Sequence, residues 1–126
     1  MAPLMKPETI QLVMRDKELA SLGDAFINFI YSLALTKLNG RPEGTKVSDR
    51  ILSEAFRAAD LRGHLASRVS RKDLANAAES LLAEAYRKHL ISIDESVEVI
   101  TQNPDGPNAG LSNLLKLAAE RITKPS

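Results

Sequence analysis

The sequence of 126 residues contains no cysteine. This absence excludes disulfides, thiolate metal sites and cysteine nucleophiles, and it is compatible with a reducing cytosol. Aromatic residues make up only 4% of the chain, and runs of β-branched residues are few. Because the apolar residues recur instead at helical spacing, the sequence predicts an all-α fold.

Neither sign of charge dominates, since 17 basic residues face 16 acidic ones and the net charge is +1. A protein that packages DNA carries a strong positive excess, so any binding to nucleic acid here must rely on local charge. The N-terminus has only a short apolar stretch, which Pro3, Lys6 and Pro7 interrupt, so it predicts neither a secretory signal nor a membrane span. We therefore expect a single cytoplasmic domain over residues 1–126 that does not bind a membrane.

The helical periodicity predicts five helices, over about residues 8–14, 21–38, 48–61, 71–89 and 111–122. Asn39-Gly40 ends the second of these helices, and Ser70 with Asp73 has the spacing of a capping box at the start of the fourth. The charged link at 15–18 is either a loop or a continuation of the helix. Residues 91–100 alternate in places, but we interpret them as a short helix, and we interpret the turn-rich residues 103–110 as a loop.

Two apolar stripes run along the second helix. One is expected to face the core of the domain, and it comprises Leu22, Phe26, Phe29, Ile30 and Leu33. The other comprises Ile27, Tyr31, Leu35 and Leu38. A small domain offers one core, so we expect the second stripe to pack against a partner subunit in a homodimer.

A glycine and an acid, Gly23 and Asp24, stand side by side in this apolar helix. Glycine costs about 1 kcal/mol relative to alanine in a helix, so Gly23 either marks a close approach between helices or is merely tolerated. Asp24 could serve a polar network or bind a ligand. On the fourth helix, Asn76 and Glu79 lie three residues apart on one face, where their oxygens suit a hard cation such as Mg²⁺, although a lone helical glutamate more often faces solvent.

The segment Leu22-Gly23-Asp24-Ala25-Phe26-Ile27 resembles the signature helix of the ribonuclease III family. The segment Ala75-Asn76-Ala77-Ala78-Glu79-Ser80-Leu81-Leu82 resembles the second acidic helix of that family, and the two occur in the family order. The resemblance extends over about residues 8–100. The minimal class of the family, which lacks an appended double-stranded-RNA-binding domain, is the closer analogue, because this chain ends soon after the catalytic region.

The resemblance implies an all-helical, dimeric endonuclease that hydrolyses double-stranded RNA with Mg²⁺, or with Mn²⁺ as a substitute, and leaves 5′-phosphate and 3′-hydroxyl ends. Asp24 and Glu79 match the metal-binding catalytic acids of the family. Two family acids are missing, because Ala20 and Asn76 stand at their positions. Asn76 can still donate an oxygen to a metal, but it brings no charge, so a second metal would be held weakly.

Basic side chains between the two motifs are the predicted contacts to RNA phosphates. A-form RNA hides its base edges in a deep groove, so binding should rest on backbone charge and shape. Each of these side chains alone could simply be solvated, but together they form a cluster: Arg41, Lys46, Arg62, His64, Arg68, Arg71 and Lys72. Neither His64 nor His89 has a partner at a spacing that favours a catalytic or metal-binding role.

Three functions are compatible with the sequence. The favoured one is a metal-dependent endoribonuclease that acts as a homodimer in RNA processing, and the retained Asp24 and Glu79 support it. The second is a catalytically inactive RNA-binding module, possible partners being the ribosome or another structured RNA, which the missing acids favour. The third is a helical adaptor between proteins that does not bind RNA at all.

Overall fold

The computed structural model describes residues 7–124, with side chains from Ile10 onward. Within that range the chain forms six α-helices and no strand, so the predicted all-α fold is confirmed. The helices are α1 (Pro7–Met14), α2 (Lys17–Asn39), α3 (Asp49–Ala58), α4 (Arg71–Arg87), α5 (Ile93–Gln102) and α6 (Pro107–Thr123), with a 3₁₀ turn at Arg62–His64.

Local capping signals place several helix ends where the sequence predicts them. The capping box at the start of α4 is present, since Ser70 Oγ accepts from the Asp73 N–H and Asp73 Oδ2 accepts from the Ser70 N–H. Gly40 ends α2 with a φ of 73°, a left-handed conformation that glycine adopts without steric cost. The ambiguous segment at 91–100 is helix α5, shifted by two residues, as Ser92 caps it.

Four other boundaries differ from the prediction. Helix α2 begins four residues earlier, because Asp16 Oδ1 accepts from the N–H groups of the first turn. Helix α6 begins at Pro107 rather than residue 111. Proline is favoured at the first helical position because an N–H there would have no partner within the helix, so its absence costs nothing. Helix α3 ends at Ala58 rather than residue 61, and α4 ends at Arg87 rather than residue 89, where His89 has a φ of 59°.

Helix α4 lies at the centre of the bundle and packs against α1, α2, α3 and α6. Its residues 74–85 are buried on every side except at Asn76, as expected for a helix surrounded by others. Helices α5 and α6 pack against each other, and α5 also packs against α2. The two helices that carry the predicted acids, α2 and α4, are therefore neighbours in the core.

The assignment of the two stripes on α2 is wrong in part, since Phe26 and Ile30 lie in the core as predicted but other residues do not. Leu22 and Phe29, which we expected in the core, are 48% and 53% exposed, whereas Ile27 and Tyr31, which we assigned to a partner, are buried. Helices α4 and α5 both pack against α2, and Ile27, Tyr31 and Ile30 belong to the buried core. A helix that is apolar on two sides carries no signal for which side its own domain covers.

Helix α2 is also the one helix in the described range with the length and hydropathy of a membrane span. Its packing accounts for its composition, because it lies in the bundle against α4 and α5. Phe26 is 9% exposed and stacks on Tyr86 of α4, with 4.8 Å between the ring centroids.

Candidate functional site

Helices α2 and α4 approach most closely at Gly23. A Cβ atom at this position would lie 1.9 Å from the backbone oxygen of Glu79 and 2.4 Å from its carbonyl carbon. Since backbone atoms cannot rotate away, only glycine fits here, and the close-approach interpretation of Gly23 is confirmed. The contact places the next residue of α2, Asp24, beside Glu79 of α4.

A cleft of about 560 Å³ opens at this crossing and continues to the start of α3. Its polar side chains come from three helices and the segment between α2 and α3: Ser21, Asp24, Lys46, Ser48, Asp49, Lys72, Asn76 and Glu79. The structure thus brings the three predicted metal-binding residues together, and it adds two of the predicted phosphate-binding lysines. It also adds a carboxylate that the sequence analysis did not single out.

A row of polar residues on α2 holds the segment before α3 against the cleft. Asn28 donates to Asp24 Oδ1 (3.4 Å) and accepts from the Val47 N–H (2.8 Å), so it links the acid to this segment. One turn further, Ser32 Oγ donates to the Thr45 carbonyl oxygen (3.2 Å) and accepts from the Thr45 N–H (2.9 Å). These bonds direct the chain back along α2 and bring Lys46 and Asp49 to Asp24.

Glu79 is the most buried charged side chain in the cleft, with only 5% of the residue exposed. Within the described residues, no protein N–H donates to its carboxylate. Burial and the neighbouring carboxyl group of Asp24 raise the pKa of Glu79, the charge of Lys72 lowers it and that of Asp49 raises it, so that the pKa is about 8. The cleft therefore brings together more carboxyl groups than the nearby cations of the protein offset.

Two lysines partly balance this negative charge from the rim. Lys46 Nζ lies 3.9 Å from Asp24 Oδ2, and Lys72 Nζ lies 3.5 Å from Asp49 Oδ2. The lysine side chains are 77% and 67% exposed. Contacts of this length and exposure contribute little to stability, so both ammonium groups can exchange partners.

The donor set fits one Mg²⁺ ion. Mg²⁺ prefers oxygen ligands, keeps several waters and needs only one or two carboxylates from a protein. Asp24, Glu79 and the amide oxygen of Asn76 offer such a set, and the buried Glu79 carboxylate has no protein donor. In the described part of the chain, no group of three or more His, Asp or Glu side chains is arranged to hold a metal ion.

Asp49 is the site residue that sequence reasoning missed. It is the first residue of α3, after the cap Ser48, where an acid is ordinary because it complements the helix dipole. Nothing in the sequence links it to Asp24, since the link runs through the hydrogen bonds of Asn28. Ala20, at the position of one missing family acid, forms an uncharged wall of the cleft together with the neighbouring Ser21.

Of the five remaining predicted RNA contacts, four lie between α3 and the first residue of α4, and Arg41 lies apart from them. Arg62 donates to the carbonyl oxygens of Ser67 (2.8 Å) and Leu65 (3.5 Å), so its guanidinium holds the loop before α4. Arg68 and Arg71 are exposed on that loop and the following helix start, and His64 lines a second cavity beside them. Arg41 follows the far end of α2, which lies about 22 Å along the helix axis from Asp24.

The comparison with known proteins agrees with this arrangement. A family model described as Ribonuclease III matches residues 17–123, from the first residue of α2 to the last residue of α6. The match includes every residue of the cleft. No curated protein in the comparison matches the chain.

Proposed function

The chain belongs to the ribonuclease III family, and on that premise we propose that it is a cytoplasmic, metal-dependent endoribonuclease that cuts double-stranded or structured RNA. The observation that carries the proposal is the pairing of Asp24 with Glu79 across the Gly23 contact. This pairing gives a buried carboxylate without a protein donor, beside a second carboxylate, in a cleft open to solvent.

Asp24 and Glu79, together with the Asn76 amide oxygen, would hold Mg²⁺, for which Mn²⁺ can substitute. A cation bound there supplies two kinds of chemistry, activation of a water for in-line attack on the phosphodiester and stabilisation of charge on the leaving oxygen. Glu79 must be ionised to act as a ligand. Because its pKa is raised, binding of a cation would displace a proton from its carboxyl group.

Lys46 and Lys72 would bind the RNA backbone at the rim of the cleft. In the free protein they pair with Asp24 and Asp49, but their exposure leaves them free to turn towards phosphates. An ammonium group bound to a phosphate releases counterions, so this contribution should weaken as salt concentration rises.

We further propose that the protein is a homodimer through the exposed side of α2. A groove of about 1130 Å³ follows this helix and the end of α4, and exposed apolar side chains line it, including Leu22, Phe29 and Tyr86. Such a continuous apolar surface is unusual on a monomer. A second copy packed there by a twofold axis would bring two clefts together, one for each strand of a duplex.

Light scattering on Phe29→Glu tests the dimer. We expect the wild-type protein to have twice the mass of the chain and Phe29→Glu to be a monomer, because a buried charge opposes association. Leu12→Glu is the matched control, since Leu12 of α1 is 64% exposed and does not line the groove. A wild-type monomer at micromolar concentration would contradict the dimer.

Cleavage of a labelled RNA duplex of some tens of base pairs tests the nuclease. We expect cleavage with Mg²⁺ that disappears with chelator, in Asp24→Asn and in Glu79→Gln. Asp60→Asn and Glu120→Gln are matched controls, because both residues are exposed and lie outside the cleft. Cleavage that survives in both cleft variants would refute the assignment of the site.

A second candidate function is a non-catalytic RNA-binding module. The observation that favours it is the uncharged wall at Ala20, together with the lack of a third ligating carboxylate in the described range. Measuring binding of the same duplex beside its cleavage distinguishes the two functions. Binding of the duplex without cleavage, in Mg²⁺ and in Mn²⁺, would leave the binding module as the function.

A further inference from the structure

A second cavity of about 560 Å³ lies beside the cleft, between α1, the 3₁₀ turn and the start of α4. This volume falls in the range of pockets that bind small ligands, about 300–1,000 Å³. It is more enclosed than the cleft at Asp24 and Glu79, which we call the metal cleft. Its floor includes the buried Met14 and the partly buried Leu65 and Val69. None of the functions described so far uses this cavity.

The two cavities adjoin on α4. Asp73, Asn76 and Glu79 follow one another at intervals of three residues, and Asn76 lines both cavities. Asp73 and Glu79 are about 9 Å apart along the helix axis. A group that extends from a phosphate at Glu79 and past Asn76 would therefore point towards the second cavity.

The lining of the second cavity suits a nucleobase. His64 and Arg15 offer the ring and the guanidinium plane on which unstacked bases are commonly held. The amides of Gln11 and Asn76 can each donate and accept a hydrogen bond, as the edge of a base requires. The bonds to Ser70 lower the pKa of Asp73, and Lys17, which also lines the cavity, offsets its charge.

From this lining and the position of Asn76 in both cavities, we propose that the second cavity binds an unpaired nucleotide of the RNA, next to the phosphate in the metal cleft. This inference rests on the proposed function and adds to it a preference for paired RNA that an unpaired base interrupts at the cut. A fully paired duplex cannot fill the cavity, because each of its bases is stacked and bonded to the opposite strand.

The test uses two RNA duplexes that contain 2-aminopurine, either paired or as a single unpaired nucleotide, with the wild-type protein in chelator so that nothing is cleaved. We expect the duplex with the unpaired base to bind at least about fivefold more tightly, since an aromatic contact to a base contributes this much or more. We also expect the fluorescence of the unpaired 2-aminopurine to change as it enters the cavity.

Two variants address the cavity and one serves as the control. Ala66→Trp places a large ring at an exposed position on the cavity lining, and Gln11→Ala removes an amide at another exposed position. We expect the first to abolish the preference and the second to reduce it, while both bind the paired duplex as before. Ala58→Trp, at an exposed alanine of α3 outside both cavities, should keep the preference.

The outcomes separate this inference from the function on which it rests. Equal affinity for the two duplexes, or a preference that survives in Ala66→Trp and in Gln11→Ala, would overturn the inference and leave the nuclease untouched. A preference in chelator without cleavage in Mg²⁺ would overturn the nuclease and support the inference. If neither duplex binds in chelator, the inference is overturned, and the cleavage assay in Mg²⁺ decides the nuclease separately.

Discussion

The substitution Gly23→Ala tests the packing that creates the site. The added Cβ would lie 1.9 Å from the Glu79 carbonyl oxygen, whereas ordinary contacts begin near 3.4 Å. Helices α2 and α4 would have to separate locally by about 1.5 Å, because the opposing atoms belong to the backbone. Overpacking of this kind typically costs about 1–3 kcal/mol, and occasionally more.

The gain in helix propensity works in the opposite direction. Replacing glycine by alanine in a helix stabilises it by about 1 kcal/mol, chiefly through the entropy of the unfolded chain. Because the clash is with backbone and is deep, we expect the overpacking cost to exceed this gain. Urea denaturation should show that Gly23→Ala lowers the free energy of unfolding by about 2 kcal/mol, which leaves an ordinary domain folded.

The folded variant should also be impaired in function. A shift of about 1 Å at a catalytic group can cost about 100-fold in rate, so cleavage of duplex RNA should fall by about that factor. The affinity for Mn²⁺, measured by calorimetry, should fall as well, since Asp24 and Glu79 move apart.

Gly44→Ala is the matched control for this substitution. A Cβ atom at Gly44 meets nothing within 4 Å, and its backbone is not in the left-handed region. Stability and Mn²⁺ affinity should therefore stay near the wild-type values. The reasoning would be refuted if Gly23→Ala were as stable as Gly44→Ala and bound Mn²⁺ equally well.

Three further predictions concern single side chains. Glu79 has a pKa of about 8 in the folded protein, against an ordinary value of 4.5, so the folded state holds more protons between these values than the unfolded state. The free energy of unfolding in chelator should therefore fall as pH rises from about 5 to about 8, and Glu79→Gln should remove that slope in urea denaturation. Asp49→Asn removes a negative charge from the cleft, so it should lower the pKa of Glu79 and weaken Mn²⁺ binding in a calorimetric pH series. Glu95→Gln breaks a two-point ion pair with Arg121 (2.6 and 2.9 Å) and should cost about 1 kcal/mol, whereas Glu54→Gln, in a longer exposed pair, should change the melting temperature little.

The sequence predicts the helices best where a local signal marks their ends. The capping box of Ser70 and the glycine at position 40 act within a few residues, so each end can be located without the rest of the fold. The start of α6 is different, because Pro107 lies among turn-forming residues and only the packed helix shows that the turn has ended there. Local signals thus predict a boundary when one residue type dominates and fail where several compete.

The faces of α2 could not be predicted for a related reason. Its apolar residues cover two sides, and the choice between them depends on where α4 and α5 pack. That choice follows from contacts between residues far apart in the sequence. The contact of Gly23 with Glu79 is one of these, and the sequence shows it only as a glycine with a cost in helix propensity.

The site residues also divide into those that a local motif predicts and one that only the packing of the helices brings to the cleft. Asp24, Asn76 and Glu79 were predicted because short motifs carry them, but Asp49 reaches the cleft through the hydrogen bonds of Asn28 and so leaves no motif. Asp49 changes the charge of the cleft. The neutral residues Ala20 and Asn76 stand where the family has acids, while α3 contributes a carboxylate from another direction. The negative charge that a cation needs is therefore a property of three converging helices, and the loss of an acid from one helix does not by itself determine whether the cleft can bind a metal.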